Sequence, residues 1–195
     1  EIRRGNDIDL NHLPVQTCWP GEPAPLITWP IVITRPPAPI DARTHNWGIY
    51  RMQVTGRDSA IVRWLAHRGG AMHFRQWQAK GEPMPIAVAI GADPAALLAA
   101  VTPVPETLSE AAFAGLLRRE RTRLCRAVSI PMLVPAEAEI VLDGYVTPGD
   151  EAMEGPYGDH TGYYNAAEPY PVMRLTAMTM RRDPVYLSTF TGRAP

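Results

Sequence analysis

The chain has 195 residues and nearly balanced charges, with 19 Lys and Arg, 20 Asp and Glu and a formal net charge of −1 at pH 7. This length can bury one substantial core, while the charge balance gives no support to nucleic-acid binding, which usually shows a basic face. The first ten residues are polar and unlike a signal peptide, and no apolar run reaches the length of a membrane span. The two cysteines, Cys18 and Cys125, lie in no metal-ligand spacing. They fit an intracellular protein whose thiols form no disulfide.

The first part of the chain predicts an extended segment followed by strands. Residues 1–25 contain several prolines and predict an extended, partly packed N-terminal segment. Residues 26–34 are rich in β-branched side chains, and Pro30 among them predicts an edge strand or a bulge. Residues 46–66 predict a hairpin, because two runs of alternating polarity flank a glycine-containing turn.

Arginines are concentrated in and just after this hairpin. Arg51, Arg63 and Arg68 lie within one short region that also holds Asn46 and His67. A single arginine on a strand is usually exposed to solvent. Three of them beside an amide and an imidazole weaken that interpretation.

The middle of the chain predicts helices around a buried strand. Residues 71–79 predict a helix that Gly81 ends, and residues 85–91 enclose a continuous apolar run typical of a buried strand. Asp93 and the proline after it are an N-cap and a first helical residue, so they predict a second helix.

A third helix is predicted to begin at Thr107, which forms a capping-box pattern with Glu110. A glutamate at the third helical position caps its own helix. On spacing alone, capping therefore explains Glu110 better than a metal-binding role.

The C-terminal part of the chain predicts more strands. Residues 126–134 and 138–147 predict two strands, and residues 172–180 and 185–190 predict a further hairpin. Many short strands around a few short helices predict an α+β, mainly β protein. A small β-barrel with helical insertions is the natural closure, because it leaves few exposed edges.

The stretch from Glu154 to Tyr164 is the strongest functional signal. Glu154 and Asp159 are five residues apart, with two glycines and Pro156 between them, so the stretch predicts a tight loop rather than a helix. Two acids held close in a partly dry site cannot both ionise easily, so one is expected to carry a proton. The alternative is an acidic surface turn, although such a turn would not explain the neighbouring histidine and hydroxyl groups.

Five motifs, taken in order, resemble the UbiD family of decarboxylases, and the resemblance extends over essentially all of the chain. The motifs are Asn46-Trp-Gly-Ile-Tyr-Arg51, Trp64-Leu-Ala-His-Arg-Gly-Gly70, Gly91-Ala-Asp-Pro94, Leu108-Ser-Glu-Ala-Ala-Phe-Ala-Gly-Leu-Leu117 and Glu154-Gly-Pro-Tyr-Gly-Asp-His-Thr-Gly-Tyr-Tyr164.

The resemblance implies a fold and a set of cofactors. It implies a split β-barrel of the flavin-reductase, FMN-binding type over residues 26–195, after the extended segment of residues 1–25. It also implies prenylated FMN as cofactor, with Mn²⁺ or another divalent ion and a K⁺ ion beside the cofactor phosphate. A flavin prenyltransferase would supply the cofactor.

The resemblance assigns site residues by position. For Glu110, the resemblance favours metal ligation over capping alone. The implied metal ligands are Asn46, His67 and Glu110, an oxygen-rich set that suits Mn²⁺ or Mg²⁺. The implied cofactor contacts are Ile49, Tyr50, Arg51, Arg63, Trp64, Leu65, Arg68 and Gly69, and the implied catalytic network is Arg51, Glu154 and Asp159.

The implied activity is non-oxidative decarboxylation of an aromatic or α,β-unsaturated carboxylic acid, with the modified flavin as electron sink. Aspartate at Asp159 points to the ubiquinone-pathway branch and 3-polyprenyl-4-hydroxybenzoate as substrate. A cytoplasmic location, or a peripheral one at the inner membrane, and a homo-oligomer would follow. The alternative is a flavin-binding or structural module without catalysis.

The sequence also departs from the family pattern. Family members are much longer, so the resemblance implies that their N-terminal and C-terminal domains are absent from this sequence. Leu187 stands where a histidine is expected, and Ala194 where a proline is expected.

Overall fold

The computed structural model describes residues 1–105, 107–190 and 192, so Ala194 lies outside the described residues. In chain order the strands are β1 (Ile2–Arg4), β2 (Leu26–Ile27), β3 (Ile31–Thr34), β4 (Asn46–Ile49), β5 (Met52–Val54), β6 (Ser59–Val62), β7 (Met84–Ile90), β8 (Leu124–Arg126), β9 (Leu133–Pro135), β10 (Ile140–Glu154) and β11 (Glu168–Met180), and the α-helices are α1 (Gly69–Lys80), α2 (Pro94–Val101) and α3 (Glu110–Arg118).

One antiparallel sheet carries the fold, and the chain path shows why it curls. Its strand order is β2-β5-β6-β11-β10-β7-β3-β4, with β1 paired beside β11. Strand β4 ends at Ile49 and β5 begins at Met52, although these strands lie near opposite ends of the order. A link this short requires the two ends of the sheet to come close together. The predicted mainly β protein is confirmed as a curled antiparallel sheet.

The two faces of the sheet bury different side chains. Strand β7 is fully buried, as predicted, because its residues alternate between two cores. Ile86 and Val88 point to the inner core of the curled sheet. Ala87 and Ala89 point outward to a second core that includes residues of α2 and α3. The small alanines allow these helices to pack closely against the sheet.

The helices largely follow their predicted signals. Helix α1 ends at Gly81, whose φ of 69° is left-handed, and Asp93 caps α2 by accepting a hydrogen bond from the Ala95 N–H. The capping-box prediction is wrong in register: Ser109, not Thr107, is the N-cap of α3. No helix in the described ranges is long and apolar enough to cross a membrane.

Four strand predictions differ from the structure. Residues 2–4 form a strand inside the segment predicted as irregular, because they pair with β11. Pro30 separates two strands that pair with different partners. Residues 126–134 form parts of the separate β8–β9 hairpin rather than one strand. Residues 185–190 are irregular, since β11 pairs with β10, β6 and β1 instead.

Candidate active site

A cleft of about 1650 Å³ opens where the two ends of the sheet approach each other. Four segments contribute to its lining: the link between β4 and β5, the start of α1, the segment before α3, and the loop of residues 154–164, which we call the acidic loop. These segments are far apart in sequence, and the curl of the sheet brings them to one place.

Two arginines meet one buried glutamate in the site. The Arg63 N–H donates to the Arg51 carbonyl over 3.1 Å, so the two arginines face each other where the β5–β6 hairpin opens. Arg51 Nε and Nη2 donate to Glu154 Oε1 and Oε2 over 2.7 Å and 3.0 Å, and the Glu154 side chain is 0% exposed. Arg63 Nε lies 3.6 Å from Glu154 Oε2. The buried carboxylate is therefore held between two cations.

The acidic loop begins at Glu154, the last residue of β10. Tight backbone bonds shape it, from the Asp159 N–H to the Tyr163 carbonyl and from the Gly162 N–H to the Asp159 carbonyl. Gly162 has the positive φ of 88° that such a turn requires. The tight loop predicted from the glycines and proline is confirmed.

Asp159 has its own partners, separate from those of Glu154. Its Oδ1 accepts from the His160 backbone N–H and lies 2.7 Å from His160 Nδ1. Burial raises the pKa of Asp159, but the His160 bonds and the Arg51 charge outweigh it and hold the pKa below its usual value. Glu154 therefore pairs with arginines, whereas Asp159 pairs with a histidine. The prediction that one of the two acids carries a proton stays a prediction.

The predicted metal ligands Asn46, His67 and Glu110 all line the cleft. Glu110 Oε2 accepts from the Trp47 N–H over 3.2 Å, so this carboxylate faces the residue next to Asn46. Burial raises the pKa of Glu110, and hydrogen bonds from the backbone N–H groups of Glu110 and Trp47 oppose it. Among the residues that the structure describes, no three His, Cys, Asp or Glu side chains cluster as a metal site.

The start of α1 fits a phosphate beside these groups. Its N-cap, Arg68, makes no side-chain capping bond, and one N–H of the first turn, that of Gly70, donates to the Tyr50 hydroxyl over 3.4 Å. A Cβ on Gly69 would lie 1.9 Å from Asn46 Oδ1, so the absence of a side chain there leaves room for the amide. An amide, an imidazole and a carboxylate beside a helix N-terminus have the chemistry that a divalent ion and a phosphate need.

The predicted cofactor contacts fall into two groups. Trp64 is buried in the inner core and packs edge-on against the Tyr50 ring, with centroids 6.4 Å apart. It does not line the cleft directly. The other predicted contacts do: Ile49, Tyr50, Arg51, Arg63, Leu65, Arg68 and Gly69.

Several residues in or beside the cleft are not predicted by the sequence motifs. His73 and Gln76 line the cleft from α1, and their helical spacing from Gly69 was the signal that could have found them. His73 Nδ1 lies 3.0 Å from Thr34 Oγ1, and burial, with a smaller effect of His45, lowers the pKa of His73 to about 4. Glu22 of the N-terminal segment bonds to the acidic loop, which no sequence pattern indicates.

The sequence matches a family described as UbiD, 3-octaprenyl-4-hydroxybenzoate carboxy-lyase Rift-related domain, over residues 1–194. The match covers nearly the whole chain. The chain belongs to the UbiD family, as the five motifs predicted.

Three solved structures resemble the chain, and the first is described as a UbiD-class enzyme. An evolved dimeric form of HmfF from Pelotomaculum thermopropionicum, in complex with prFMN, is 38% identical with a TM-score of 0.90, over 97% of this chain and 43% of that one. Vanillic acid decarboxylase from Sedimentibacter hydroxybenzoicus in closed form is 29% identical with a TM-score of 0.93, over 100% and 41%. Apo 3,4-dihydroxybenzoic acid decarboxylase from Klebsiella pneumoniae is 28% identical with a TM-score of 0.85, over 96% and 41%. The chain thus spans about two fifths of the length of these proteins.

Proposed function

We propose that the chain is the cofactor-binding part of a prenylated-FMN-dependent decarboxylase that removes CO₂ from an aromatic or α,β-unsaturated carboxylic acid. The observation that carries the proposal is the two-point pairing of Arg51 with the fully buried Glu154 at the cleft. Burying a charge is costly unless it is paired. A buried ion pair facing an open cleft therefore favours a functional site.

Arg51 would hold the substrate carboxylate. Glu154 occupies its Nε and Nη2, which leaves Nη1 as the nitrogen to meet a ligand. A guanidinium fixed from one side presents its remaining N–H groups in a set direction, which is the geometry that carboxylate recognition needs. Arg63 lies beside the same buried carboxylate, so a second cation adds to the attraction of Arg51 for an acid.

Asp159 would deliver the proton that replaces the lost CO₂. It lies on the same loop as Glu154 and lines the cleft. Its side chain is 32% exposed, so it can exchange protons with water between turnovers. Glu154 would tune this network through Arg51, whose charge also acts on Asp159.

Prenylated FMN, when bound, supplies the electron sink for loss of CO₂. Seven cleft residues would hold it: Ile49, Tyr50, Arg51, Arg63, Leu65, Arg68 and Gly69, with Trp64 supporting Tyr50 from behind. Asn46, His67 and Glu110 would hold Mn²⁺ or another divalent ion beside the phosphate, and K⁺ would lie nearby. A flavin prenyltransferase would supply the cofactor.

The finer assignments are part of the same proposal. Within the family we assign the curled sheet to the split barrel of the flavin-reductase type. We propose a hydroxybenzoic acid as substrate, since two similar proteins are named for vanillic and 3,4-dihydroxybenzoic acids. The favoured substrate is 3-polyprenyl-4-hydroxybenzoate of ubiquinone synthesis, because Asp159 matches that branch. The full-length protein would be a homo-oligomer.

The test is decarboxylation by the full-length protein reconstituted with prenylated FMN and Mn²⁺. Binding of the modified flavin is followed by its absorbance, and CO₂ release is measured with 4-hydroxybenzoic acids that carry or lack a 3-prenyl chain, and with vanillic and 3,4-dihydroxybenzoic acids. CO₂ release from at least one acid is expected. Tight flavin binding without CO₂ from any of them would favour the flavin-binding module, and absence of both would overturn the proposal.

A further inference from the structure

We propose that Glu22 is a positioning residue that fixes the acidic loop and thereby the place of Asp159. The inference rests on the proposed function for its catalytic meaning. Its structural part is independent of that function, because it concerns contacts between the N-terminal segment and the loop. We call Trp19, Glu22 and Ala24 the N-terminal clamp.

Glu22 bridges two backbone segments with its two carboxylate oxygens. Oε1 accepts from the Gly158 N–H over 3.2 Å, and Oε2 accepts from the Cys18 N–H over 2.8 Å. The residue is only 9% exposed. Charged acceptors form the stronger hydrogen bonds to backbone N–H groups, and a buried carboxylate strongly needs both of these. Gly158 directly precedes Asp159, so this bond acts one residue from the proposed acid.

Trp19 holds the same residue by close packing. It is 1% exposed, and a Cβ on Gly158 would lie 2.0 Å from its ring. Gly158 therefore lies directly on the indole, where a side chain could not fit. The Trp19 Nε1–H donates to the Gly192 carbonyl over 3.1 Å, and the Tyr164 ring packs edge-on against Trp19 with centroids 5.1 Å apart.

Ala24 completes the clamp on the other side of the loop. Its carbonyl accepts from the Tyr157 hydroxyl over 2.8 Å, and Tyr157 is 0% exposed. The Arg51 guanidinium lies over the Tyr157 ring, 5.4 Å from its centroid. The clamp thus holds Tyr157 and Gly158, the two residues before Asp159, and reaches Arg51 through Tyr157.

This arrangement explains how a glycine-rich loop can hold an acid in place. The loop contains glycines that favour many conformations, and Asp159 itself bonds mainly to its neighbour His160. Besides the loop's own backbone bonds, the Glu22 carboxylate anchors the backbone at Gly158, although Glu22 lies more than a hundred residues earlier in the sequence. Displacing such an acid by about 1 Å can cost roughly 100-fold in rate.

The experiment compares Glu22→Ala and Glu22→Gln in the full-length protein. For Glu22→Ala, kcat is expected to fall about 100-fold while KM changes by less than about threefold. Hydrogen exchange of the amides at 157–160 is expected to rise about tenfold or more, with the amides of β7 and β10 unchanged. Glu22→Gln keeps one acceptor oxygen but presents an NH₂ group to the second N–H, so its effects should be intermediate.

Two further variants keep the test decisive. Gly158→Ala forces the loop off Trp19 from the opposite side and should reproduce the kinetic and exchange changes of Glu22→Ala. Glu82→Ala removes a glutamate that is exposed just after α1 and should change neither. If Glu22→Ala fails to fold, Glu22→Gln and Gly158→Ala carry the comparison.

Unchanged exchange at 157–160 in the Glu22 variants would overturn the proposal, as would a rise spread evenly over the whole sheet. If the wild-type protein releases no CO₂, the proposed function fails, and the exchange measurement alone decides whether Glu22 fixes the loop. The two failures are therefore distinguishable.

Discussion

Arg51 and Arg63 lie opposite each other across the open end of a hairpin, and both guanidinium groups reach the same buried carboxylate, that of Glu154. Two like charges so close would repel without an anion between them. Glu154 is the residue that allows both arginines to face the cleft, so stability and function should both depend on it.

The first prediction concerns the stability that Glu154 provides. Glu154→Gln should lower the free energy of unfolding by about 3–5 kcal/mol, because it removes the anion that pairs with Arg51 and the buried one of the two anions near Arg63. Urea unfolding measures the change. The matched control is Glu168→Gln, which removes a carboxylate that is half exposed and 3.8 Å from Arg63, and should cost at most about 1 kcal/mol. Equal effects of the two substitutions would contradict the central role of Glu154.

The second prediction concerns Gly69 and the metal. Gly69→Ala places a Cβ 1.9 Å from Asn46 Oδ1 and must push the amide aside, although none of the three proposed metal ligands is changed. The affinity of the full-length protein for Mn²⁺ should fall about 10- to 100-fold, the usual effect of disturbing a ligand's support. Titration calorimetry measures it, with Ala79→Ser on the exposed part of α1 as control. Unchanged Mn²⁺ affinity would argue that Asn46 is not a ligand.

Local signals predicted the local structure well. The glycine after α1, the Asp-Pro pair before α2 and the apolar run of β7 each act through residues next to them, so they can be read from sequence. The strand partners could not be predicted, because pairing depends on distant segments. Residues 2–4 look irregular alone and become a strand only when β11 offers an edge.

The site was predictable in composition but less so in geometry. The family resemblance supplied residues that line one cleft, among them Arg51, His67 and Glu110. It could not show that Glu154 pairs with two arginines while Asp159 pairs with His160, since these partners depend on side-chain directions at the end of β10. The bond from Glu22 to the loop was invisible for the same reason.

The third prediction concerns pH and stability. Burial, then the nearby His45, lowers the pKa of His73 to about 4, against roughly 6.5 in an unfolded chain. The unfolded state binds more protons between these values, so stability should be full above about pH 6.5 and fall as pH drops toward 4. His73→Gln should reduce this loss in thermal melts from pH 7.5 to 4.5. A flat wild-type profile would contradict the prediction.

The last prediction concerns Asp159 as proton donor. Asp159→Asn keeps the Oδ1 that accepts from the His160 N–H, so the loop and cofactor binding should persist. Turnover should fall by about two to four orders of magnitude, the usual contribution of a positioned acid. The measurement is CO₂ release by the full-length protein with prenylated FMN. The control is Asp150→Asn, which changes an acid on β10 that pairs with Arg174 on β11, and it should retain activity.

The pH dependence of turnover tests the same role in another way. Burial raises the pKa of Asp159, but the His160 bonds and Arg51 outweigh it, so the resting carboxyl is ionised near neutral pH. A donor must first take up a proton, and its protonated fraction grows as pH falls. Where proton delivery limits the rate, wild-type turnover should therefore rise as pH is lowered toward 5, and Asp159→Asn should lose this rise. Near-normal turnover by Asp159→Asn would remove Asp159 from the mechanism and leave His160 or Glu154 as the acid.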